Sequence, residues 1–196
     1  MGTGTRIRVS CTALARIEDD AGNLALYASR KDDRTILRPP GGSFQSGSRS
    51  HSYLATNFGA TMFEHERDLR FTVPTTQVDR LVAWFGTRQL RETGVTRVLA
   101  EQLIDRARIL APSDARHLTQ ALRGRVQHRG ITARDSAPIK DTLYLVEVFD
   151  IGAPSSALAK LAASPRIVFV SPDEIRRDSN EGGRISSMAT CLLVGA

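Results

Sequence analysis

Two stretches of this chain hold the residues whose types and spacing could do chemistry. The first is Leu37-Arg38-Pro39-Pro40-Gly41-Gly42-Ser43-Phe44. Proline fixes φ and donates no backbone hydrogen bond, whereas paired glycines accept positive φ and let other backbone, or a ligand, come close. The second is Arg91-Glu92-Thr93-Gly94-Val95-Thr96-Arg97-Val98-Leu99-Ala100-Glu101-Gln102-Leu103. Its apolar spacing predicts a helix with Val95, Leu99 and Leu103 along one face, Val98 near the edge, and Glu101 and Asp105 sharing the other side. A further acid, Glu147, interrupts the apolar run Leu143-Tyr144-Leu145-Val146-Glu147-Val148-Phe149. The plain readings are structural: glycines that serve their turn, and carboxylates that cap, pair with arginine or face water.

Other constellations are missing. His51, His65, His117 and His128 are dispersed, with no Cys or Asp at zinc-ligand spacing. There is no Walker loop, no Rossmann glycine fingerprint and no Gly-x-Ser-x-Gly elbow.

The elements that must position these residues follow from pattern. Thr5 to Ile17 reads as a strand, Asp19-Asp20-Ala21-Gly22-Asn23 as a turn, and Leu24 to Ser29 as the returning strand of an opening hairpin. The Ser- and Gly-rich run from Gly42 to Ser52 reads as a mobile loop, and Tyr53 to Met62 is ambiguous. Leu69 to Val73 is a strand stopped by Pro74. Thr75 or Thr76 then caps a helix through Val78, Leu81, Val82 and Phe85, with Trp84 and Phe85 in the core. Thr93 is the expected N-cap of the helix that follows, and Pro112 ends that segment. Leu118 to His128 and Asp141 to Asp150 read as strands, Ser155 to Ala163 as a small helix, and Arg166 to Val170 as a short strand. Ser171-Pro172-Asp173-Glu174 carries a capping box with Pro at the first helical position, and Ser186 to Val194 fits a closing helix burying Met188, Cys191 and Leu192.

With 196 residues, 41% hydrophobic and 24% charged, the chain fits one domain over 1–196. No apolar run is long enough to span a bilayer, and the N-terminus lacks a signal-peptide core. Cys11 and Cys191 read as buried free thiols, from which a cytoplasmic location is expected. The net charge of +6 comes from basic residues scattered along the chain, without a Lys/Arg block or an aromatic-studded basic strand. Nucleic acid is therefore not the expected partner, although an anionic ligand is compatible with the charge.

Read together, the Gly41-Gly42 corner and Arg97-Val98-Leu99-Ala100-Glu101-Gln102 resemble a split Nudix box, in which a Gly-Gly turn leads to a helix bearing Arg-Glu-aliphatic-x-Glu-Glu. The finer pattern resembles the SMODS-associated Nudix branch. It is carried by Pro39 to Gly42, Asp68 to Pro74, Trp84-Phe85, Arg91-Glu92-Thr93, Arg97 to Leu103, Ile185-Ser186-Ser187 and Leu192-Leu193, and it extends over most of the chain. The resemblance implies an α/β (α+β) fold, a mixed sheet between helices in an α/β/α sandwich. It also implies a role in sensing or processing a nucleotide signal beside second-messenger synthetases in bacterial antiviral defence. Nudix hydrolysis uses Mg²⁺ or Mn²⁺ held by box carboxylates. Arg97 matches the box arginine and Glu101 the first of the Glu-Glu pair, but Val98 and Gln102 stand where the family has acids. Glu101 and Glu92 are thus the candidate metal ligands and catalytic acids, with Glu147 and Asp105 as further acids. Arg38, Gly41, Gly42, Arg97 and Glu147 are the candidate ligand contacts.

Three expectations follow. The first is a degenerate Nudix domain that binds a nucleotide or nucleotide-derived signal with little or no hydrolysis. The second is an active divergent hydrolase in which Glu92, Glu101 and Glu147 hold Mg²⁺. The third is an interaction domain with no small ligand. Homodimerisation is left open, and no membrane partner is expected.

Overall fold

Long runs of β-branched and apolar residues become the strands of this chain, and short amphipathic segments become its helices. The computed structural model describes residues 5–31, 34–132, 135–178, 180 and 183–195. In order come β1 (Arg6–Arg16), β2 (Leu24–Lys31), β3 (Arg34–Arg38), β4 (Gly41–Ser43), α1 (Ser48–Phe58), β5 (Arg70–Pro74) and, after a 3-10 turn at Thr75–Gln77, α2 (Val78–Thr87). The box helix begins as α3 (Thr96–Leu99) and continues as a π-helix over Ala100–Arg106. There follow α4 (Pro112–Ala115), β6 (Thr119–Ile131), β7 (Asp141–Gly152), α5 (Ser155–Ala162), β8 (Ile167–Val170), α6 (Pro172–Arg177), β9 (Arg184–Ile185) and a 3-10 helix, Ser187–Leu193.

The chain has the expected mixed α/β class, with its strands in two sheets: β4-β1-β7-β6, with β5 also on β1, and β8-β2-β3-β9. Among the described residues, no helix is long and apolar enough to cross a membrane. Two compact units can be distinguished, the first comprising Met1–Thr12, Ser43–Thr93 and Val126–Val146, the second Ala13–Gly42, Gly94–Arg125 and Glu147–Ala196.

In the first unit, β5 runs antiparallel to β1, with Val9 opposite Phe71 and Ile7 opposite Val73. Trp84, 5% exposed, and Phe85 lie in the core as expected, with Phe44 6.1 Å from Phe85 and Phe58 6.2 Å from Trp84 between ring centroids. The same unit holds a buried polar cluster: Arg8, 2% exposed, pairs with Glu64 and donates to Thr142 Oγ1 at 3.2 Å. Removing one partner of such a pair leaves a buried charge and costs about 3–5 kcal/mol.

Several expectations are corrected here. The supposed mobile loop contains the start of α1, held by buried Ser50, Leu54 and Phe58 and ended by Gly59 in the left-handed region at φ 61°. The Ser50 hydroxyl donates to the Leu90 carbonyl, a long-range bond that keeps this Ser-rich turn helical. Neither Thr75 nor Thr76 caps α2, because both lie in the preceding 3-10 turn and Gln77 occupies the cap.

In the second unit, the turn at Asp19–Asn23 forms, with the Asp19 carboxylate accepting from the Asn23 N–H at 2.8 Å. The strands it joins do not make a hairpin ladder, however. β2 pairs with β3 and β8, leaving an isolated bridge between Glu18 and Leu24. The capping box at Ser171 forms as expected, its hydroxyl accepting from the Glu174 N–H. The closing segment is 3-10 rather than α and buries Ala189, Cys191 and Leu192, while Met188 is half-buried. Cys11 and Cys191 are free and buried, and burial pushes the Cys191 thiol up to about 11.

His51 stacks on Phe63 at 4.1 Å between centroids, and burial holds its imidazole below the ordinary value, partly offset by a bond with the Asp68 backbone. With the folded value depressed, the unfolded chain takes up the proton first, so this contribution is full above about pH 6.5 and is lost as pH falls. Thermal melts from pH 8 to pH 5 should show wild type losing stability on the acid side. His51→Phe, which keeps the stack, should lose less; equal acid sensitivity in both would remove His51 as a cause.

Candidate functional site

Everything at the Gly-Gly corner depends on how closely backbone approaches backbone. A Cβ at Gly41 would lie 2.4 Å from the Ala13 carbonyl oxygen and 2.7 Å from Leu14 Cδ2, so only glycine fits. Just before it, the Pro40 carbonyl accepts from the Ala15 N–H at 2.8 Å, which ties the corner to β1. Pro39 and Pro40 are buried, and both glycines are half-buried.

The box helix meets this corner through two side chains one turn apart. Residues at i and i+4 share a helical face, so Val98 and Gln102 point the same way. The Gln102 Oε1 accepts the Gly41 N–H at 2.9 Å. A Cβ at Gly42 would stand 3.0 Å from Val98 Cγ1, so the valine packs tightly against this glycine. Beside them Arg97 Nη1 pairs with Glu101 Oε1 at 2.8 Å, with Glu101 39% exposed. The helix widens at Ala100–Arg106, where the Ala107 N–H reaches back five residues to the Gln102 carbonyl at 3.0 Å.

Thr93 does not cap this helix. Val95 takes the N-cap position, and its N–H donates to Gln120 Oε1 at 2.8 Å. Gly94 leaves room for that amide, because a Cβ there would lie 2.7 Å from Gln120 Nε2. On this side the helix borders an apolar cleft of about 330 Å³, open mouth included, lined in part by Val95, Leu99, Ile104, Leu118 and Ile151.

Of the remaining candidates, Glu92 and Glu147 have partners of their own. Glu92 lies in the first unit, where its carboxylate accepts the Gln45 N–H at 3.1 Å and its own N–H donates to the Gln45 carbonyl at 3.0 Å. Its neighbour Arg91 lies 4.6 Å from the Phe44 centroid and 4.1 Å from that of Phe85, so Arg91-Glu92 works there as a clamp. Glu147 is fully buried rather than turned to solvent, and Arg125 Nε pairs with it at 3.1 Å. Arg38 is exposed at the end of β3, and Asp105 is exposed on the helix. Gln102, Gln120 and Gln45 were not readable as partners, because each acts on backbone distant in sequence.

Mg²⁺ or Mn²⁺ needs several oxygen ligands at short, ordered distances. The helix face toward the corner offers the Val98 isopropyl group and an amide oxygen already bonded to Gly41, while Glu101 is engaged by Arg97. Among the described residues, no three His, Cys, Asp or Glu side chains gather where they could hold one ion. This donor set does not fit a divalent cation.

Two substitutions test the corner as a structural joint. Gly41→Ala forces backbone apart and should cost roughly 2–3 kcal/mol. Gln102→Leu leaves the Gly41 N–H without its acceptor and should cost about 1–2 kcal/mol. Denaturant unfolding measures both; a Gln102→Leu variant as stable as wild type would mean the bond contributes nothing.

The sequence model of the SMODS-associated Nudix domain matches residues 6–192, nearly the whole chain. No curated protein and no solved structure matches it. With the glycine corner, the box helix and the mixed α/β sheets all lying inside the matched span, this chain belongs to the SMODS-associated Nudix domain family.

Proposed function

We propose that this chain is a nucleotide-sensing Nudix domain, which binds a nucleotide or nucleotide-derived signal and does not hydrolyse it. One observation carries the reading: the two helix positions facing the glycine corner hold it by packing and by a hydrogen bond, and bear no carboxylate. Diphosphate hydrolysis in this superfamily draws on metal ions that bridge the phosphates and help generate the attacking hydroxide. A scaffold that binds its ligand without added stabilisation of the transition state has affinity but no rate. The family's association with second-messenger synthetases supports a nucleotide as the ligand and bacterial antiviral defence as the setting, and the net charge of +6 suits an anion. On this reading Glu92 and Glu147 are structural, Arg97 braces the helix through Glu101, and Arg38 is a ligand contact.

The test is calorimetry with a nucleoside diphosphate, ADP, in Mg²⁺, in Mn²⁺ and in EDTA, with ³¹P NMR to detect cleavage. The expected result is binding that changes by less than about threefold between these conditions, with no cleavage. Binding confined to the metal-containing buffers, with cleavage that disappears in Glu101→Gln, would instead establish a divergent hydrolase.

A further inference from the structure

The sheet β8-β2-β3-β9 contains no Asp or Glu in any strand, yet carries Arg30, Lys31, Arg34, Arg38 and Arg184. Its register sorts them. Tyr27 is opposite Arg38, Ser29 opposite Ile36, and Ile36 adjoins Arg184 on the parallel β9. Directly paired residues share a face, and so do residues two apart on a strand. Arg34, Ile36 and Arg38 therefore form one row, with Tyr27 and Arg184 on its two sides. Leu37, fully buried, points the other way. Arg34, Arg38 and Arg184 are all exposed, and Tyr27 and Ile36 are half-buried.

Like charges placed side by side on a sheet repel, and among the described residues no carboxylate pairs with this row. Arg8, Arg16, Arg70, Arg97, Arg123, Arg125 and Arg129 each meet a carboxylate. Among the described residues, Arg34, Arg38 and Arg184 meet none; Asp32 and Asp33 of the β2–β3 turn and Glu181 before β9 lie outside those residues. All the residues of this face belong to the second unit, so the arrangement holds within one body.

We infer that the exposed face of β2, β3 and β9 is an oligophosphate-binding surface, with Arg34, Arg38 and Arg184 on the phosphates and the Tyr27 ring beside the base. Guanidinium groups recognise phosphate through paired N–H donors, and an aromatic ring on a sheet gives a base a stacking surface. The role assigned to Tyr27 rests on the nucleotide reading above; the role assigned to the arginines needs only an oligophosphate. No chemical step is involved: the surface holds charge and orients a ring.

The experiment uses the whole chain and two probes, ADP and inorganic tripolyphosphate, in EDTA at moderate salt. Arg34→Ala/Arg184→Ala should weaken both probes at least tenfold, roughly the worth of one charged hydrogen bond. Arg49→Ala/Arg116→Ala removes the same charge from other exposed positions and should leave both within about twofold. Tyr27→Leu should weaken ADP and spare tripolyphosphate; equal effects on both would remove the ring from the site. Thermal melting of the double arginine variant should equal or exceed wild type, because repulsion is relieved. If wild type binds ADP and the Arg34/Arg184 variant binds it equally, the inference fails while the nucleotide reading stands. If tripolyphosphate binds through these arginines and ADP does not bind, the surface stands and the nucleotide reading fails. Binding of neither probe to wild type overturns both.

Discussion

The Gly41 N–H bonded to Gln102 Oε1 is the interaction on which the candidate site depends. A backbone donor at a glycine corner is a natural anion contact, and an acid on the facing helix is a natural metal ligand. Here a neutral amide joins the two directly. The corner has little freedom to adjust, since Gly41 is crowded by the Ala13 carbonyl and Gly42 by Val98. Helix and turn are therefore fastened by the protein's own atoms. That gives the corner a structural role which persists whether or not a ligand is present.

This arrangement also bears on electrostatics. Metal-dependent diphosphate chemistry concentrates carboxylates, and the ion offsets their repulsion. Val98 and Gln102 bring no such repulsion to the helix face, and Arg97 meets the acid beside them, Glu101. Five basic residues of the second unit, Arg30, Lys31, Arg34, Arg38 and Arg184, lie instead on a sheet whose strands contain no acid. A phosphate held by arginine alone would need no cation.

Much of this was legible in the sequence. Strands with long apolar runs, the Asp19–Asn23 turn and the Ser171 capping box were readable because their causes are local. So was the box helix, whose Val95, Val98, Leu99 and Leu103 are all buried. What failed was set by distant partners. A turn shows that the chain reverses but not how far the strands stay paired: β2 meets Glu18, just beyond β1, at one bridge and then pairs with β3 and β8. The Ser- and Gly-rich composition before α1 masked a helix secured by Ser50 and Leu54. Gln120 displaced Thr93 as the group serving the box helix N-terminus, and Arg125 on the neighbouring strand provided the charge that lets Glu147 sit fully buried. The arginine face was invisible for the same reason: scattered in sequence, its members are gathered by strand register.

The most direct test of the central claim is paramagnetic NMR: substoichiometric Mn²⁺ added to ¹⁵N-labelled protein, with the amide resonances of Gly41, Gly42, Glu101 and Gln102 followed against exposed carboxylates elsewhere. A corner fastened by Gln102 predicts no selective broadening at these four amides. Selective loss of their signals, abolished by Glu101→Gln, would show a metal seated on the box helix and contradict the account.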